Sequence, residues 1–372
     1  MNVPPHVAES QRRRRLLLLA TALVAGAALI ASIVFVLGPE DYPGDGSGTV
    51  VVQIERGDST SAIGDMLVSR GVVASRASFV GAAEDVPAIQ RVQPGYYQLH
   101  RQMSGDSAAE SLVEPDARVG FMDVKGGIQL DDTQAPDGTV TPGVLSQISR
   151  ATCLGEGDER HCVGVDELRT VMAESDLGAL GVPAWARDGV AKAAPERRLE
   201  GLVAPGTYDF DPTLPPREVL RTVLRASAAR LEHAGLGRDA SSYEALIRAS
   251  LVERESIGKD MPRIARVITN RLGAGQRLEL DSTVNYPLDV QALRTTTEAR
   301  RAPGPYNSYL NAGLPPTPVS SVSDAAIGAA LAPEPGPWLY FVRCTPEGAS
   351  CFAVTFPEHQ ANVDRARAAG AF

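Results

Sequence analysis

Two glutamates, Glu253 and Glu255, lie close together in a segment whose apolar residues recur at helical spacing. On a helix, Glu253 shares its face with Ala249, Ser250 and Ile257, which are three or four residues away. Because an apolar face disfavours the charged form of a carboxyl group, it raises the pKa toward the range that a general acid needs near neutral pH. Glu253 is therefore a candidate proton donor.

The same segment predicts a different environment for Glu255. Lys259 follows Glu255 by four residues, which is the favourable order for an exposed ion pair on a helix. We therefore expect Glu255 to be solvated. The alternative for Glu253 is an ordinary glutamate on a helix surface with an imperfect apolar neighbourhood, and spacing alone leaves both interpretations open.

A second set of polar residues follows this helix and could line a site around Glu253. Each member also has a structural interpretation, because turns and helix caps use Asp, Ser, Thr and Asn, and a tyrosine is suited to a half-buried position. The candidates for substrate binding are Asp281, Thr283, Tyr306, Asn307 and Ser308.

Other reaction classes lack their sequence signatures in this chain. There is no G-x-S-x-G elbow, no phosphate-binding loop, no dinucleotide-binding glycine motif after a strand and no H-E-x-x-H zinc motif. The five histidines are scattered, and the formal net charge is −9. We therefore expect no metal, no cofactor and no nucleic-acid partner.

An apolar run near the N-terminus predicts where these residues act. Residues 16–38 contain no charge over 23 positions, which as a helix is long enough to cross a hydrocarbon core of about 30 Å. Four arginines precede this run, so residues 1–15 are expected to form a cytoplasmic tail. A cleaved signal peptide is the alternative, but its apolar core is usually only about 7 to 15 residues long. We expect a single-pass cell-membrane protein with an extracytoplasmic functional part.

Strand and helix patterns after the membrane segment predict an α+β fold. Residues 39–48 form a polar linker, residues 49–125 contain small strand–helix units, and residues 126–198 form a connector with a polar loop. Helical periodicity is denser over residues 199–372. Within that part, Ser241 to Glu244 matches a capping box, and Asp260 is placed to cap the next helix.

The four cysteines form two close pairs, Cys153 with Cys162 and Cys344 with Cys351. Local disulfides suit an oxidising exterior and are the simplest connectivity. The second pair would staple a predicted β-hairpin across its turn. A metal site is the alternative, but the residues nearby form no pattern of the Cys-x-x-Cys type.

Several motifs in the same order make this chain resemble the endolytic murein transglycosylase (YceG-like) family. The resemblance covers nearly everything after the membrane helix and is strongest from 199 to 363. The segments that carry it are Leu199 to Gly201, Ser250 to Ser256, Val267 to Leu272, Arg277 to Val284, Tyr306 to Tyr309 and Gly313 to Pro316.

The resemblance implies a LysM-like membrane-proximal module over 49–125 and a mixed α/β catalytic domain over 199–372. It implies cleavage of nascent peptidoglycan between MurNAc and GlcNAc, with 1,6-anhydro ends, in glycan strand termination. It implies that Glu253 is the catalytic carboxyl, acting first as acid and then as base. The implied partners are the glycan strands and the inner membrane, with cell-wall synthases as candidates.

Two alternatives belong to other functional classes. One is a non-catalytic, LysM-like cell-wall-binding membrane protein, and the other is a glycan hydrolase that uses two carboxylates. The chain also departs from the family pattern: Ser282 replaces a proline, and Ser321-Val322-Ser323 stands where Asn-Pro-Gly is usual. None of these departures removes Glu253.

Overall fold

The structure, a computed structural model, describes residues 40–256, 258–288, 290–291 and 295–371. The predicted cytoplasmic tail and membrane span lie outside this part of the chain. Among the helices that it contains, none has both the length and the apolar character needed to cross a membrane. The described fold is mixed α and β, as predicted. It divides into two compact units. The first consists of Met1–Pro94 and Leu99–Ala117, and the second consists of Gly95–Gln98 and Arg118–Phe372.

The first unit follows the order strand, helix, helix, strand, helix. Its elements are β1 (Ser47–Ile54), α1 (Thr60–Ser69), α2 (Arg76–Asp85), β2 (Gly95–Arg101) and α3 (Gly105–Val113). Of β2, only the residues from Leu99 onward belong to this unit. The side chains of Ser59, Ser75 and Ser104 cap the three helices by accepting backbone N–H groups. Leu67 and Phe79 are fully buried and fix the helices against each other.

The second unit is mainly helical. Its elements are β3 (Arg118–Val119), β4 (Phe121–Val124), β5 (Thr133–Gln134), β6 (Val140–Thr141), α4 (Val144–Ala151), α5 (Val165–Glu174), α6 (Ala184–Val190), β7 (Gly206–Asp209), α7 (Pro216–His233), α8 (Ser242–Glu255), α9 (Met261–Gly273), α10 (Asp281–Asn285), α11 (Thr297–Arg301), α12 (Asp324–Leu331), β8 (Tyr340–Arg343), β9 (Ser350–Ala353) and α13 (Phe356–Ala368). Its strands form short antiparallel pairs, β4 with β7, β5 with β6 and β8 with β9.

Most of helix α8 is buried, although Glu244 and Arg254 are exposed. Leu246, Ala249, Leu251 and Val252 are each 1% exposed or less. Helices α9 and α12 pack against α8, and α12 also packs against α9. Because dense packing leaves a helix little freedom to rotate or shift, side chains at the C-terminal end of α8 have defined positions.

Both predicted disulfides are present, Cys153–Cys162 and Cys344–Cys351. The second joins the ends of β8 and β9, whose register pairs Phe341 with Phe352, so the predicted hairpin is confirmed. The first closes a loop in which Leu154 and His161 exchange backbone hydrogen bonds of 2.8 Å. Each bridge therefore closes a short antiparallel connection.

Both helix-cap predictions for the second unit are wrong. Ser241 makes no capping bond, because its hydroxyl donates to Asp239 Oδ1 at 2.7 Å. Asp260 does not cap α9 either; its Oδ2 accepts the backbone N–H of Ser350 at 2.6 Å. In each case the side chain forms its hydrogen bond with a group outside the helix instead of with the first N–H groups of the helix.

The observed division of the chain differs from the predicted domain limits. The first unit ends at Ala117, and residues 118–198 form one compact unit with residues 199–372. Strand β4, expected within the module over 49–125, pairs with β7, and Met122 lies opposite Tyr208. Residues so far apart in the sequence form no local pattern from which their pairing could be predicted.

Ser227 gives a stability test of the segment before β7. Its side chain is fully buried, donates to the Leu202 carbonyl at 2.7 Å and accepts the Ala204 N–H at 2.7 Å. Ser227→Ala leaves both backbone groups unpaired, so we expect urea unfolding to show a loss of about 2 kcal/mol. The control is Thr222→Ala on the same helix, whose hydroxyl bonds only the Glu218 carbonyl of that helix. Equal losses of unfolding free energy in Ser227→Ala and Thr222→Ala would contradict the bridging role of the Ser227 hydroxyl.

Candidate active site

Glu253 lies in the last turn of α8, where the buried helix meets the surface. Ala249 and Ser250, on the same face, are fully buried, while Glu253 is half-buried. The predicted apolar face is therefore confirmed for these neighbours, whereas Ile257 lies outside the described residues. The carboxylate thus sits at the edge of the core with part of its surface open.

One oxygen of the Glu253 carboxylate is held by Ser323. The backbone N–H and the hydroxyl of Ser323 both donate to Oε2, at 3.0 Å and 2.5 Å. Ser323 is also the N-cap of α12, because its Oγ accepts the N–H of Ala326 at 3.3 Å. Hydrogen bonds to a carboxylate offset much of its dehydration, so they allow a charge at this half-buried position.

The other oxygen of the carboxylate lies against a tight turn at Gly126. A Cβ atom at position 126 would approach Glu253 Oε1 to 2.3 Å, which no real contact permits. Among the described residues, no group donates a hydrogen bond to Oε1. Glycine at 126 therefore lets the backbone approach an oxygen that has free hydrogen-bonding capacity.

Ser321 fixes this turn in place. Its hydroxyl donates to the Lys125 carbonyl at 2.7 Å and accepts the Ile128 N–H at 3.1 Å. Its backbone carbonyl accepts the Gly127 N–H at 3.0 Å, and its own N–H donates to the Ile128 carbonyl at 2.7 Å. Four hydrogen bonds thus bind the turn to the segment that carries Ser323.

Arg254 connects the turn to a second wall of the site. Its Nη1 donates to the Gly127 carbonyl at 3.1 Å, and its Nη2 donates to Gln291 Oε1 at 2.8 Å. The backbone N–H of Gln291 in turn donates to the Gln134 carbonyl in β5 at 2.8 Å. The residue next to Glu253 therefore ties together three segments that are distant in sequence.

The predicted exposed pair of Glu255 with Lys259 is wrong. The two described side chains form no ion pair; Glu255 is half-buried, and its Oε1 accepts the Ser282 N–H at 3.2 Å. Burial raises the pKa of Glu255 above its ordinary value, against the opposing hydrogen bonds from Ser282 and the charge of Arg254. The competing partner comes from α10, which a local i, i+4 pattern does not reveal.

Asp281 lies at the start of α10 and anchors the segment that follows it. Its carboxylate accepts hydrogen bonds from Thr295 at 2.5 Å and Tyr309 at 2.7 Å, and it pairs with Arg300 at 3.0 Å. Burial raises the pKa of Asp281, but the hydrogen bonds from Thr295, Tyr309 and Arg300 outweigh it and hold the pKa below its ordinary value. Asp281 is thus an ionised anchor.

The other four candidates lie in the buried interior, Thr283 within α10 and the remaining three after α11. Thr283 and Ser308 have hydroxyls 2.7 Å apart, and the Asn307 amide donates to two backbone carbonyls, of Arg300 and Ala302. The Tyr306 hydroxyl lies 2.8 Å from Thr317 Oγ1. All four are at most 8% exposed. The structure therefore brings them together as internal supports of the loop.

Glu200 is a buried carboxyl that the sequence analysis did not place in the site. Its Oε2 accepts the Tyr286 hydroxyl at 2.9 Å and the Leu130 N–H at 3.2 Å, and the side chain is 1% exposed. Burial raises the pKa of Glu200 to about 7, although these bonds and the charge of Arg197 oppose the rise. Its position between two apolar residues in Leu199-Glu200-Gly201 was the available signal.

A metal-ligand cluster and a cavity are the other features that could mark a site. Within the described ranges, no cluster of His, Cys, Asp or Glu is arranged to hold a metal ion. A cavity of about 300 Å³ lies between β7 and α7, and its lining includes none of the candidate residues.

Comparison with known proteins identifies the family. The profile of the YceG-like family matches residues 52–365. The chain belongs to this family. It is 28% identical to the endolytic murein transglycosylase of Bacillus subtilis over 323 residues, covering 85% of this chain and 84% of the relative. It is 26% identical to the endolytic murein transglycosylase of Streptococcus pneumoniae, covering 84% of this chain but only 58% of that protein.

A solved structure supports the same assignment at the level of fold. A crystal structure of a yceG-like protein from Listeria monocytogenes superposes with a TM-score of 0.54 at 25% identity. The superposition covers 84% of this chain and 99% of that one. The family match over residues 52–365 includes both the segment of Glu253 and the turn at Gly126.

The raised pKa of Glu200 predicts a pH-dependent stability. The folded state binds this proton more tightly than the unfolded chain, so stability falls as pH rises from 4.5 to about 7. This group alone contributes a loss of ~3 kcal/mol. We expect Glu200→Gln to reduce the slope of unfolding free energy over this range, with the exposed Glu196→Gln as control. An unchanged slope would contradict the buried, proton-binding state of Glu200.

Proposed function

We propose that this chain is a membrane-anchored endolytic murein transglycosylase with Glu253 as its single catalytic carboxyl. Family membership and the names of the two relatives support the reaction class. The observation that carries the assignment to Glu253 is its geometry: Oε2 is held by Ser323, while Oε1 has no donor among the described groups. A carboxyl with one fixed and one free oxygen is suited to exchange a proton with substrate.

In the proposed mechanism, protonated Glu253 donates its proton to the glycosidic oxygen between MurNAc and GlcNAc. The bond from the anomeric carbon to that oxygen breaks as the new O–H bond forms. The resulting carboxylate then accepts the proton of the C6 hydroxyl of MurNAc while that oxygen bonds to the anomeric carbon. The products are a free hydroxyl and a 1,6-anhydro end, and the enzyme regains its proton.

The substrate-binding candidates have a supporting role in this proposal. Thr283, Asn307 and Ser308 are buried and bonded to protein, so they position the loop that ends near Tyr309 rather than contact sugar in this conformation. The ionised Asp281 holds the same loop through Arg300. We propose that the surface around Glu253, Arg254 and the turn at Gly126 contacts the glycan.

The N-terminal sequence supports a location for the proposed reaction. We propose that residues 16–38 anchor the protein with its N-terminus in the cytoplasm, so that the site acts on nascent strands outside the membrane. The first unit, with its strand–helix–helix–strand order, is the proposed LysM-like module. Cell-wall synthases are proposed partners because they produce the strands that this reaction terminates.

Glu253→Gln tests the catalytic assignment. Full-length protein in detergent is incubated with purified glycan strands, and products are analysed by mass spectrometry. We expect anhydro-ended products from the wild type and a loss of about 10²- to 10⁴-fold in rate for the variant, because amide cannot transfer the proton. Glu244→Gln is the matched control, since Glu244 lies on the same helix and is 67% exposed.

Each other outcome identifies a different function. Wild-type products with reducing ends would indicate a hydrolase. Binding of glycan without cleavage would indicate the non-catalytic cell-wall-binding protein. Cleavage by Glu253→Gln at the rate of Glu244→Gln would transfer the catalytic role to another residue.

Gly126→Ala tests the position of the carboxylate without changing its chemistry. A methyl group at 126 would approach Oε1 to 2.3 Å, so the Glu253 side chain must move. We expect glycan cleavage to fall by about 100-fold, the scale of an effect from misplacing a catalytic group by about 1 Å. Gly164→Ala is the control, because position 164 has an ordinary φ of −69° and no neighbour within 4 Å. Equal activity in both variants would contradict the close approach.

A further inference from the structure

We propose that Ser323 is a positioning residue that fixes the Glu253 carboxylate and thereby makes Oε1 the oxygen that exchanges the proton. The inference rests on the proposed function for its catalytic meaning. Its geometric basis does not depend on that function, because the N–H and the hydroxyl of Ser323 both donate to Oε2.

The hydroxyl of Ser323 has a defined direction. Its oxygen accepts the N–H of Ala326 at 3.3 Å, and the hydroxyl lies 2.5 Å from Glu253 Oε2. A hydroxyl has one proton and two lone pairs. The Ala326 N–H occupies one lone pair of the Ser323 hydroxyl, so the hydroxyl proton is free to point at the carboxylate. Oε2 of the ionised carboxylate has no proton and can only accept. Ser323 is therefore a donor to Glu253.

The two donors decide where the carboxyl proton resides. If Oε2 carried the proton, the Ser323 hydroxyl would have to turn and accept it, so that hydroxyl could no longer donate to the carboxyl group. Oε1 accepts no hydrogen bond from the described residues, so a proton there leaves both bonds intact. The acid form therefore has its proton on Oε1.

The same contacts stabilise the form that remains after proton transfer. When Oε1 releases its proton, the carboxylate charge is shared with Oε2, which faces an N–H and an O–H at the N-terminus of the eight-residue helix α12. Hydrogen bonds strengthen as their acceptor becomes charged. Since donors that are already oriented stabilise charge that develops during the reaction, losing one reduces the rate of turnover.

The local environment separates Ser323 from the other serines of the loop. Ser321 bonds only to backbone groups of the turn, at Lys125, Gly127 and Ile128. Asp324 follows Ser323 and is exposed, and the guanidinium of Arg254 is the nearby cation on the side of α8. Ser323 is thus the member of the loop that contacts the carboxylate directly.

Steady-state kinetics of full-length Ser323→Ala and Ser323→Thr test the proposal. With glycan strands as substrate, we expect Ser323→Ala to lower kcat by about tenfold with KM within about twofold of wild type. Ser323→Thr keeps a hydroxyl and the helix cap, so we expect it to recover most of kcat. Recovery by threonine separates the hydroxyl contact from a general effect of substitution.

Ser75→Ala controls for the loss of a helix cap. Ser75 caps α2 by accepting the Ser78 N–H at 3.1 Å and donates to the Glu40 carbonyl at 2.7 Å, so it also both accepts and donates. We expect this variant to lose stability of similar size to Ser323→Ala and to keep kcat. A kcat for Ser323→Ala within twofold of wild type, or equally low values for the alanine and threonine variants, would overturn the proposal.

A crystallographic comparison provides a readout that does not need activity. In Ser323→Ala we expect the Glu253 carboxylate to rotate away from the position that it has in the wild type, and in Ser323→Thr to keep it. An unmoved carboxylate in the alanine variant would overturn the positioning role. Lack of cleavage by the wild type, or full cleavage by Glu253→Gln, would instead overturn the proposed function, and the crystallographic result would still decide the role of Ser323.

Discussion

The site depends on keeping a carboxylate at the end of a buried helix. Packing around α8 gives Glu253 a defined position, but it also removes water from the helix. A carboxylate in that position is stable only if donors replace the lost water. Ser323 supplies two of them, and the segment that carries Ser323 also holds the turn over Oε1 through Ser321. The loop before α12 is therefore the structural partner of the Glu253 carboxylate.

The surrounding charges extend this constraint. Glu200, Glu253 and Glu255 all interact with the single guanidinium of Arg254. Arg197 also acts on Glu200, yet burial raises the pKa of both Glu200 and Glu255. These two groups therefore retain protons at higher pH than exposed glutamates do. Protonation of Glu200 removes one of the negative charges that interact with Arg254.

Local sequence patterns predicted those features whose partners are close in the chain. The apolar face of Glu253 depends on residues three and four positions away, and each disulfide closes a loop of fewer than ten residues. The environment of Glu255 was predicted wrongly because its partner, Ser282, is 27 residues away and competes with the nearby Lys259. The same reason applies to Glu200, whose neighbours Leu130 and Tyr286 lie 70 and 86 residues away. Helix periodicity contains no information on such contacts.

The departures from the family pattern acquire a physical meaning in the structure. The segment Ser321-Val322-Ser323 stands where the resemblance leads one to expect Asn-Pro-Gly. A glycine at 323 would still offer its backbone N–H to Oε2, but it would offer no hydroxyl, and a proline at 322 would fix the backbone before it. In this chain the hydroxyl of Ser321 instead bridges both ends of the turn at Gly126, while Ser323 bonds the carboxylate. Side-chain hydroxyls thus hold this segment to the turn, and one of them bonds Glu253 directly.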